Sequence, residues 1–353
     1  MMQIESPFSL AVDRLPAMEL MDARYSIHGL PVRIVSDSRF ILDAVGGLLR
    51  YFKCNEISPP EATFYLIKKE PSEFPCQERI LKEGRVLFDA RKDDEFGLSD
   101  MVEVYLVYRS WEKYFMADFG PQGSFFLDTA AGMALGYLPD PESIHPAILS
   151  NFMFLLALSE MFRARDCFLI HSAAVMGKGK GILIPALSGS GKTTLCLSLL
   201  RGGFKYLSDD RPFLRRVDGG FEMLSFPEEI DVTEKTISLF PELRTLDAAA
   251  LTSGLRKKKF FVDRLYPGIT VDKAVPRILI FPKIAVAAKS RLRSLSKIEA
   301  VSRLLPHSLL VMDPDVAMRQ FHMLCEMVET MDCYELSYGK DVLDVHAMIW
   351  DLL

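Results

Sequence analysis

Apolar positions along the chain change period several times, and those changes mark elements before any motif is considered. Short apolar runs predict strands at Val32 to Val35, Thr63 to Ile67, Arg85 to Phe88 and Val102 to Tyr108. Between the first two, Ile41, Leu42, Ala44, Val45, Leu48, Leu49 and Phe52 recur at helical spacing, which predicts a helix over Phe40 to Phe52 with one buried face. Residues 1–140 therefore read as a smaller mixed α/β domain, and no catalytic constellation is seen in it. Its acidic group Asp93, Asp94 and Glu95 has neither metal-ligand spacing nor a nearby histidine, and reads as a solvated loop. Leu138-Pro-Asp-Pro stops regular structure and predicts a boundary near residue 140.

Residues 141–353 read as one α/β body. A helix over Ile144 to Arg165 would pack Ile148, Phe152, Leu155, Leu156 and Met161 against the sheet of either domain. Phe168 to Val175 and Ile182 to Ile184 follow as two strands joined by a tight turn in Gly177-Lys-Gly-Lys-Gly. Further strands are predicted at Phe204 to Leu207, Met223 to Phe226 and Arg277 to Phe281. Helices are predicted at Thr194 to Leu200, Thr233 to Leu239, Lys297 to Leu305, Asp315 to Thr330 and Val342 to Leu353.

Composition narrows the class. With 353 residues, 49% hydrophobic and 25% charged, the chain has an ordinary globular composition, and a net charge of −5 argues against broad nucleic-acid binding. The six cysteines form no Cys-x-x-Cys pair, as expected of a reduced, cytoplasmic protein. Glu5 and Asp13 at the N-terminus argue against a secretory signal. The most apolar helical stretch, Ile148 to Phe162, is too short to span a bilayer and is broken by Ser150, Asn151, Ser159 and Glu160, so no membrane partner is expected. A homo-oligomer is compatible with all of this.

Candidate chemistry is concentrated in Gly181 to Asp210. Ala186 to Thr193 fit the Walker A pattern with alanine at its first glycine, between an apolar strand and a Leu-rich helix. Ser188, Gly189, Ser190, Gly191, Lys192, Thr193 and Thr194 would form the phosphate cradle: the glycines turn backbone N–H groups inward, Lys192 reaches the outer phosphates, and the Thr193 hydroxyl is placed to ligate magnesium. The helix N-terminus acts on the same anion. Asp209 and Asp210 end the next strand, where carboxylates can approach a ligand crevice, although acidic pairs also form turns. His171 alone would read as structural. Arg256-Lys-Lys-Lys reads either as a solvated charge run or as a source of a cation for a phosphate or acidic substrate.

Taken together, a histidine in the preceding strand, a Gly-x-Gly turn, the phosphate loop, a helix ending in Arg-Gly and a strand ending in Asp-Asp resemble the kinase domain of HPr kinase/phosphorylase, and more closely its HprK-like relatives. Phe168 to Asp210 carry the resemblance: His171 precedes Lys192 by 21 positions (192 − 171) and Asp209 follows it by 17 (209 − 192). Ser-Asp-Asp-Arg-Pro-Phe-Leu, Lys259-Phe-Phe-Val-Asp and Pro276-Arg-Ile-Leu-Ile-Phe-Pro add weaker likeness. The resemblance implies a P-loop kinase fold of the HPr kinase/PEP carboxykinase type. It also implies Asp209 as the base that takes a hydroxyl proton, Asp210 with Thr193 on magnesium, and His171 beside the transferred phosphate. The family's Arg-Gly-x-Gly motif is missing after Asp210, which puts HPr as substrate, and reverse phosphorylase action, in doubt.

The resulting expectation is an ATP- and Mg2+-dependent kinase acting on a hydroxyl, serine foremost, of a peptide, protein or small molecule, with Asp209, His171 and Lys192 as catalytic residues. The alternative is a nucleotide-binding regulatory protein that uses the loop as a switch. A remnant that no longer binds nucleotide is disfavoured by intact Lys192, Thr193, Asp209 and Asp210.

Overall fold

The computed structural model describes residues 6–15, 20–55, 58–90, 105–187, 189–246, 252–253, 258–285, 287–308 and 313–353. It is a mixed α/β structure with large mixed sheets, in two compact units, Met1–Arg165 and Asp166–Leu353. Asp93 to Glu95, Val102, Ser188, Arg256 and Lys257 lie outside the described residues.

The N-terminal unit is built on β1 Met21–Ile27, β2 Leu30–Ser36, β3 Ala62–Ile67, β4 Arg85–Asp89, β5 Val107–Trp111, β6 Tyr114–Asp118, β7 Ser124–Asp128 and β8 Met133–Tyr137. They form one sheet in the order β1-β2-β3-β8-β7-β6-β5-β4, parallel at β2–β3 and β3–β8 and antiparallel elsewhere. β1 and β2 are joined through His28 and Gly29, both at positive φ (52° and 88°), the backbone shape that a two-residue hairpin turn requires. Helices α1 Pro7–Asp13, α2 Arg39–Leu48, α3 Gln77–Glu83, α4 Pro146–Ile148 and α5 Leu155–Arg163 complete it. Ser38 caps α2 by accepting from the Ile41 N–H, and Ile41, Leu42, Val45 and Leu48 are its buried face.

The division falls after Arg165, where the sequence reading expected about residue 140. The segment after Pro141 belongs to the first unit because its aromatics pack there: Phe154 lies 5.1 Å from Phe64 and Phe152 5.5 Å from Phe119, centroid to centroid. A π-helical stretch, Leu149–Phe154, joins α4 to α5. Of the strand expected at Val102 to Tyr108, the described residues begin at Tyr105 and β5 only at Val107.

The C-terminal unit contains β9 Cys167–Leu169, β10 Ser172–Gly177, β11 Lys180–Pro185, β12 Lys205–Ser208, β13 Phe213–Val217, β14 Gly220–Leu224, β15 Glu229–Val232, β16 Thr252–Ser253, β17 Lys258–Phe261, β18 Lys273–Ile284, β19 Arg291–Ser294 and β20 Asp332–Tyr338. Its main sheet runs β12-β10-β11-β18-β14-β13-β9, with β20 on β18 and β19 on β20; β15-β17-β16 form a small separate sheet. β11, β18 and β20 are mutually parallel, while β10 is antiparallel to β11 and β12 is antiparallel to β10. The C-terminal ends of β11, β12, β18 and β20 and the N-terminal end of β10 therefore lie at one edge of the sheet. The described candidate site residues are drawn from that edge.

Helices α6 Lys192–Arg201, α7 Glu234–Leu239, α8 Val262–Leu265, α9 Lys297–Leu304, α10 Pro314–Glu329 and α11 Val345–Trp350 surround the sheets. Leu195, Leu197, Leu199 and Leu200 of α6 are buried in one cluster with Val175, Ile182, Ile184 and Ile280 of the strands. At the C-terminal end of α6, the Trp350 indole N–H donates to the Gly202 carbonyl at 2.9 Å and its ring lies 4.2 Å from that of Phe204. The helix expected over Val342 to Leu353 opens with a 3-10 turn, and α11 ends at Trp350.

One expected strand is corrected. Phe168 to Val175 is not continuous: β9 pairs with β13 and β10 with β11, and the chain crosses between them at Ile170 and His171. The crossing is held because three successive N–H groups find partners on other segments: Ile170 donates to Pro212 O at 3.2 Å, His171 to His307 O at 2.8 Å and Ser172 to Asp210 O at 2.9 Å.

Leu199→Ala should lower the unfolding free energy of this unit by roughly 2–5 kcal/mol, the cost of a cavity beneath a fully buried leucine. Urea denaturation followed at the C-terminal unit, compared with wild type, measures it.

Candidate active site

The loop after β11 turns on two glycines in the left-handed region, Gly189 at φ 80° and Gly191 at φ 90°. Gly191 is also the N-cap of α6, and a Cβ there would lie 1.3 Å from the Tyr338 hydroxyl. Any side chain there would have to push the Tyr338 ring aside and would sit on left-handed backbone. Ser190 N–H closes the turn on Leu187 O at 3.1 Å, and the Tyr338 hydroxyl donates to Ser190 O at 3.3 Å. The loop is thus braced by the end of β20, with the first turn of α6, including Thr193 and Thr194, directly behind it.

Lys192 begins α6 and is 8% exposed. Its Nζ contacts Asp210 Oδ1 and donates to His171 Nε2 at 3.0 Å. His171 Nδ1 is 3.3 Å from the same Asp210 oxygen. An ammonium carries three donors and no acceptor, so His171 Nε2 is the accepting nitrogen in this contact and the ring is neutral. The neighbouring Thr193 hydroxyl donates to Asp209 Oδ2 at 2.8 Å, and Asp209 Oδ1 is buried without a hydrogen-bond partner. The Ser208 hydroxyl accepts from the N–H groups of Asp210 (3.2 Å) and Arg211 (2.9 Å), a turn that sends the two adjacent carboxylates to different partners.

Electrostatics separates the pair. Burial pushes the Asp209 carboxyl up to about 6, with the Lys192 charge and the Thr193 hydrogen bond pulling the other way. Burial also works against an ionised Asp210, but Lys192, His171 and Arg211 overcome it and hold that carboxyl well below the usual range. His171 is lowered, chiefly by burial, with Asp210 opposing the effect.

The structure thus gathers His171, Lys192, Thr193, Asp209 and Asp210 beside Gly189, Ser190 and Gly191. It pairs Thr193 with Asp209, whereas the sequence reading grouped Thr193 with Asp210. It also adds residues to which the sequence assigns no role. His307 lies parallel to His171, centroids 6.0 Å apart and planes within 8°; it is 6% exposed, and its Nδ1 has no hydrogen-bond partner. Burial first, then the nearness of His171 and of the Lys192 ammonium, pushes it down to about 4. Arg211 bridges Asp210, at 3.5 Å, and the buried Glu228, whose carboxyl burial raises to about 7. Of the basic run, Lys259 reaches this neighbourhood, 3.5 Å from Asp231, while Lys258 pairs with Glu234 at 2.9 Å. Asp231 bears electrostatically on both Asp209 and Arg211. The only sequence hint of Arg211 was its position after the aspartate pair; Glu228 and His307 come from segments that pair spacing does not reach.

Chemically, the arrangement joins a glycine loop and a helix N-terminus to a lysine, two differently tuned carboxylates and a neutral imidazole. No family model matches the chain, and no curated protein does. Among solved structures, the Hpr(Ser) kinase/phosphatase from Coxiella burnetii aligns with a TM-score of 0.29 and 13% identity, over 52% of this chain and 92% of that one.

His307 gives this site a pH signature. Between pH 6.5 and about 4 the unfolded chain takes up a proton at this histidine and the folded chain does not, so its contribution is fully present above 6.5 and lost as pH falls. His307→Phe should therefore reduce the stability lost between pH 7 and pH 4.5 by about 2–3 kcal/mol, at 1.36 kcal/mol per pKa unit. Denaturant midpoints of variant and wild type at the two pH values check the difference.

Proposed function

We propose that the protein is an ATP- and magnesium-dependent phosphotransferase acting on a hydroxyl, serine foremost, of a peptide, protein or small molecule, with a P-loop fold of the HPr kinase type in residues 166–353. The observation that carries this reading is the meeting of Lys192, Asp210 and His171, side by side with the Thr193–Asp209 pair, over the glycine loop. Phosphoryl transfer asks for positive charge on the phosphates, a metal-holding oxygen pair and a proton acceptor, and these side chains supply each. A cytoplasmic setting and the lack of a nucleic-acid partner go with this reading. No helix among the described residues is long and apolar enough to cross a membrane.

The residues present fit a divalent cation. Asp209 Oδ1 is a buried carboxylate oxygen without a hydrogen-bond partner, on the same carboxylate whose Oδ2 accepts from the Thr193 hydroxyl, and a hard cation is a ligand that satisfies oxygens of this kind. When bound, magnesium would neutralise charge on the phosphate oxygens. Lys192 would turn from Asp210 to the phosphates, and loop N–H groups would hold them in place. His171, neutral, would stand next to the group being transferred.

Two assignments of the aspartates are distinguishable. In the first, Asp209 takes the hydroxyl proton and Asp210 holds the metal with Thr193; a carboxyl at about 6 has the proton affinity of a base near neutrality, and Asp210 stays ionised. The second exchanges the roles and is favoured by the Thr193–Asp209 hydrogen bond.

Lys192→Ala should weaken ATP–Mg binding at least tenfold, because ammonium and loop act on one set of phosphates. Calorimetric titration of the folded variant decides it; unchanged affinity would remove the loop from the reading. Labelled γ-phosphate transferred from ATP to an acceptor in cell extract tests the activity itself. Asn at the base position should abolish transfer with ATP affinity retained, while Asn at the metal position should raise the magnesium requirement. If Asp209→Asn and Asp210→Asn both keep full transfer, the pair is structural and the mechanism has no base.

A further inference from the structure

The candidate chemistry occupies one flank of the loop only. Across the ligand edge of the sheet the order is Asp209 and Asp210 at the end of β12, His171 before β10, the loop after β11, then Ile284 closing β18 and Tyr338 closing β20. If the outermost phosphate lies toward the aspartates, the rest of a nucleotide extends the other way, across Gly191. On that side the chain exposes apolar surface. Leu187, in the loop itself, is 64% exposed and Ile284 is 51% exposed. Ile284 is also close to the loop: its Cγ1 lies 3.3 Å from where a Cβ on Gly191 would stand. β18 runs on past its pairing with β11, which ends at Leu183↔Leu279, so Ile284 projects beyond the strand that feeds the loop. Tyr338 pairs with Ile284 in the β18–β20 register and stiffens the platform through its bond to Ser190 O.

We infer that Leu187 and Ile284 form the shelf on which the base of a purine nucleoside triphosphate lies, with the loop taking its phosphates; this rests on the phosphotransferase reading above. Two branched aliphatic side chains recognise the face of a flat ring by covering it, and they carry no donor or acceptor to read its edge. Adenosine and guanosine triphosphates are therefore accepted alike, and the loop glycine is doubly constrained, by the phosphates on one side and by Tyr338 and Ile284 on the other. The position follows the rule that ligands of open α/β sheets lie outside the carboxyl ends of parallel strands, here β11, β18 and β20.

The test compares ATP, GTP and inorganic tripolyphosphate by calorimetry in magnesium buffer. Wild type should bind ATP at least tenfold more tightly than tripolyphosphate, and GTP within about threefold of ATP. Leu187→Ala with Ile284→Ala, at side chains 64% and 51% exposed, should weaken ATP about tenfold and leave tripolyphosphate unchanged, with the fold of the variant checked by its urea midpoint. ATP bound no better than tripolyphosphate, or an unaffected double variant, overturns the shelf and leaves the phosphate loop standing. A thirtyfold preference between ATP and GTP also overturns it, since polar groups would then be reading the base edge. Failure of wild type to bind any of the three overturns the phosphotransferase reading and the shelf with it.

Discussion

A nearly buried ammonium is the constraint around which the C-terminal unit is arranged. Lys192 begins a helix whose next turns are leucine-rich and fully packed, so its charge must be answered at short range or not at all. Asp210 and His171 answer it, and each is brought there by a different strand. Their meeting requires the crossing at Ile170 and His171, the turn on Ser208 and the backbone bond from His171 to His307. The compensation extends outward through Arg211 to Glu228, so one buried cation organises a chain of polar groups from four segments.

Local periodicity made much of this legible. The α2 face, the strand–loop–helix from β11 to α6 and the strand ending at Ser208 could be read because each is an uninterrupted apolar pattern bounded by turn residues. The loop's turn was legible for the same reason, its glycines being required by left-handed backbone at Gly189 and Gly191. What sequence could not supply was long-range pairing. Phe168 to Val175 looks continuous because both halves are apolar, yet its two halves face different neighbours, and only tertiary hydrogen bonds to residues 212, 307 and 210 reveal the break. The segment after Pro141 likewise carries an apolar face that either unit could have buried; Phe64 and Phe119 decide it.

The aspartate pair shows where sequence and structure part most usefully. Adjacent residues of one type look interchangeable on paper. The turn on Ser208 sends one toward a hydroxyl and the other toward an ammonium, and their proton affinities move in opposite directions. His307 and Glu228 have no sequence signature because each is defined by what it is buried against.

The far end of α6 carries a different consequence. Its N-terminus opens onto the loop, and its C-terminal carbonyl at Gly202 is held by the indole of Trp350, one of two tryptophans in the chain. An indole whose hydrogen bond and ring contact both depend on the position of that helix end is a built-in optical gauge. Any event at the loop that shifts or tightens α6 along its axis is transmitted through ten residues of rigid helix to a fluorophore well away from the ligand, whose emission then reports motion rather than contact.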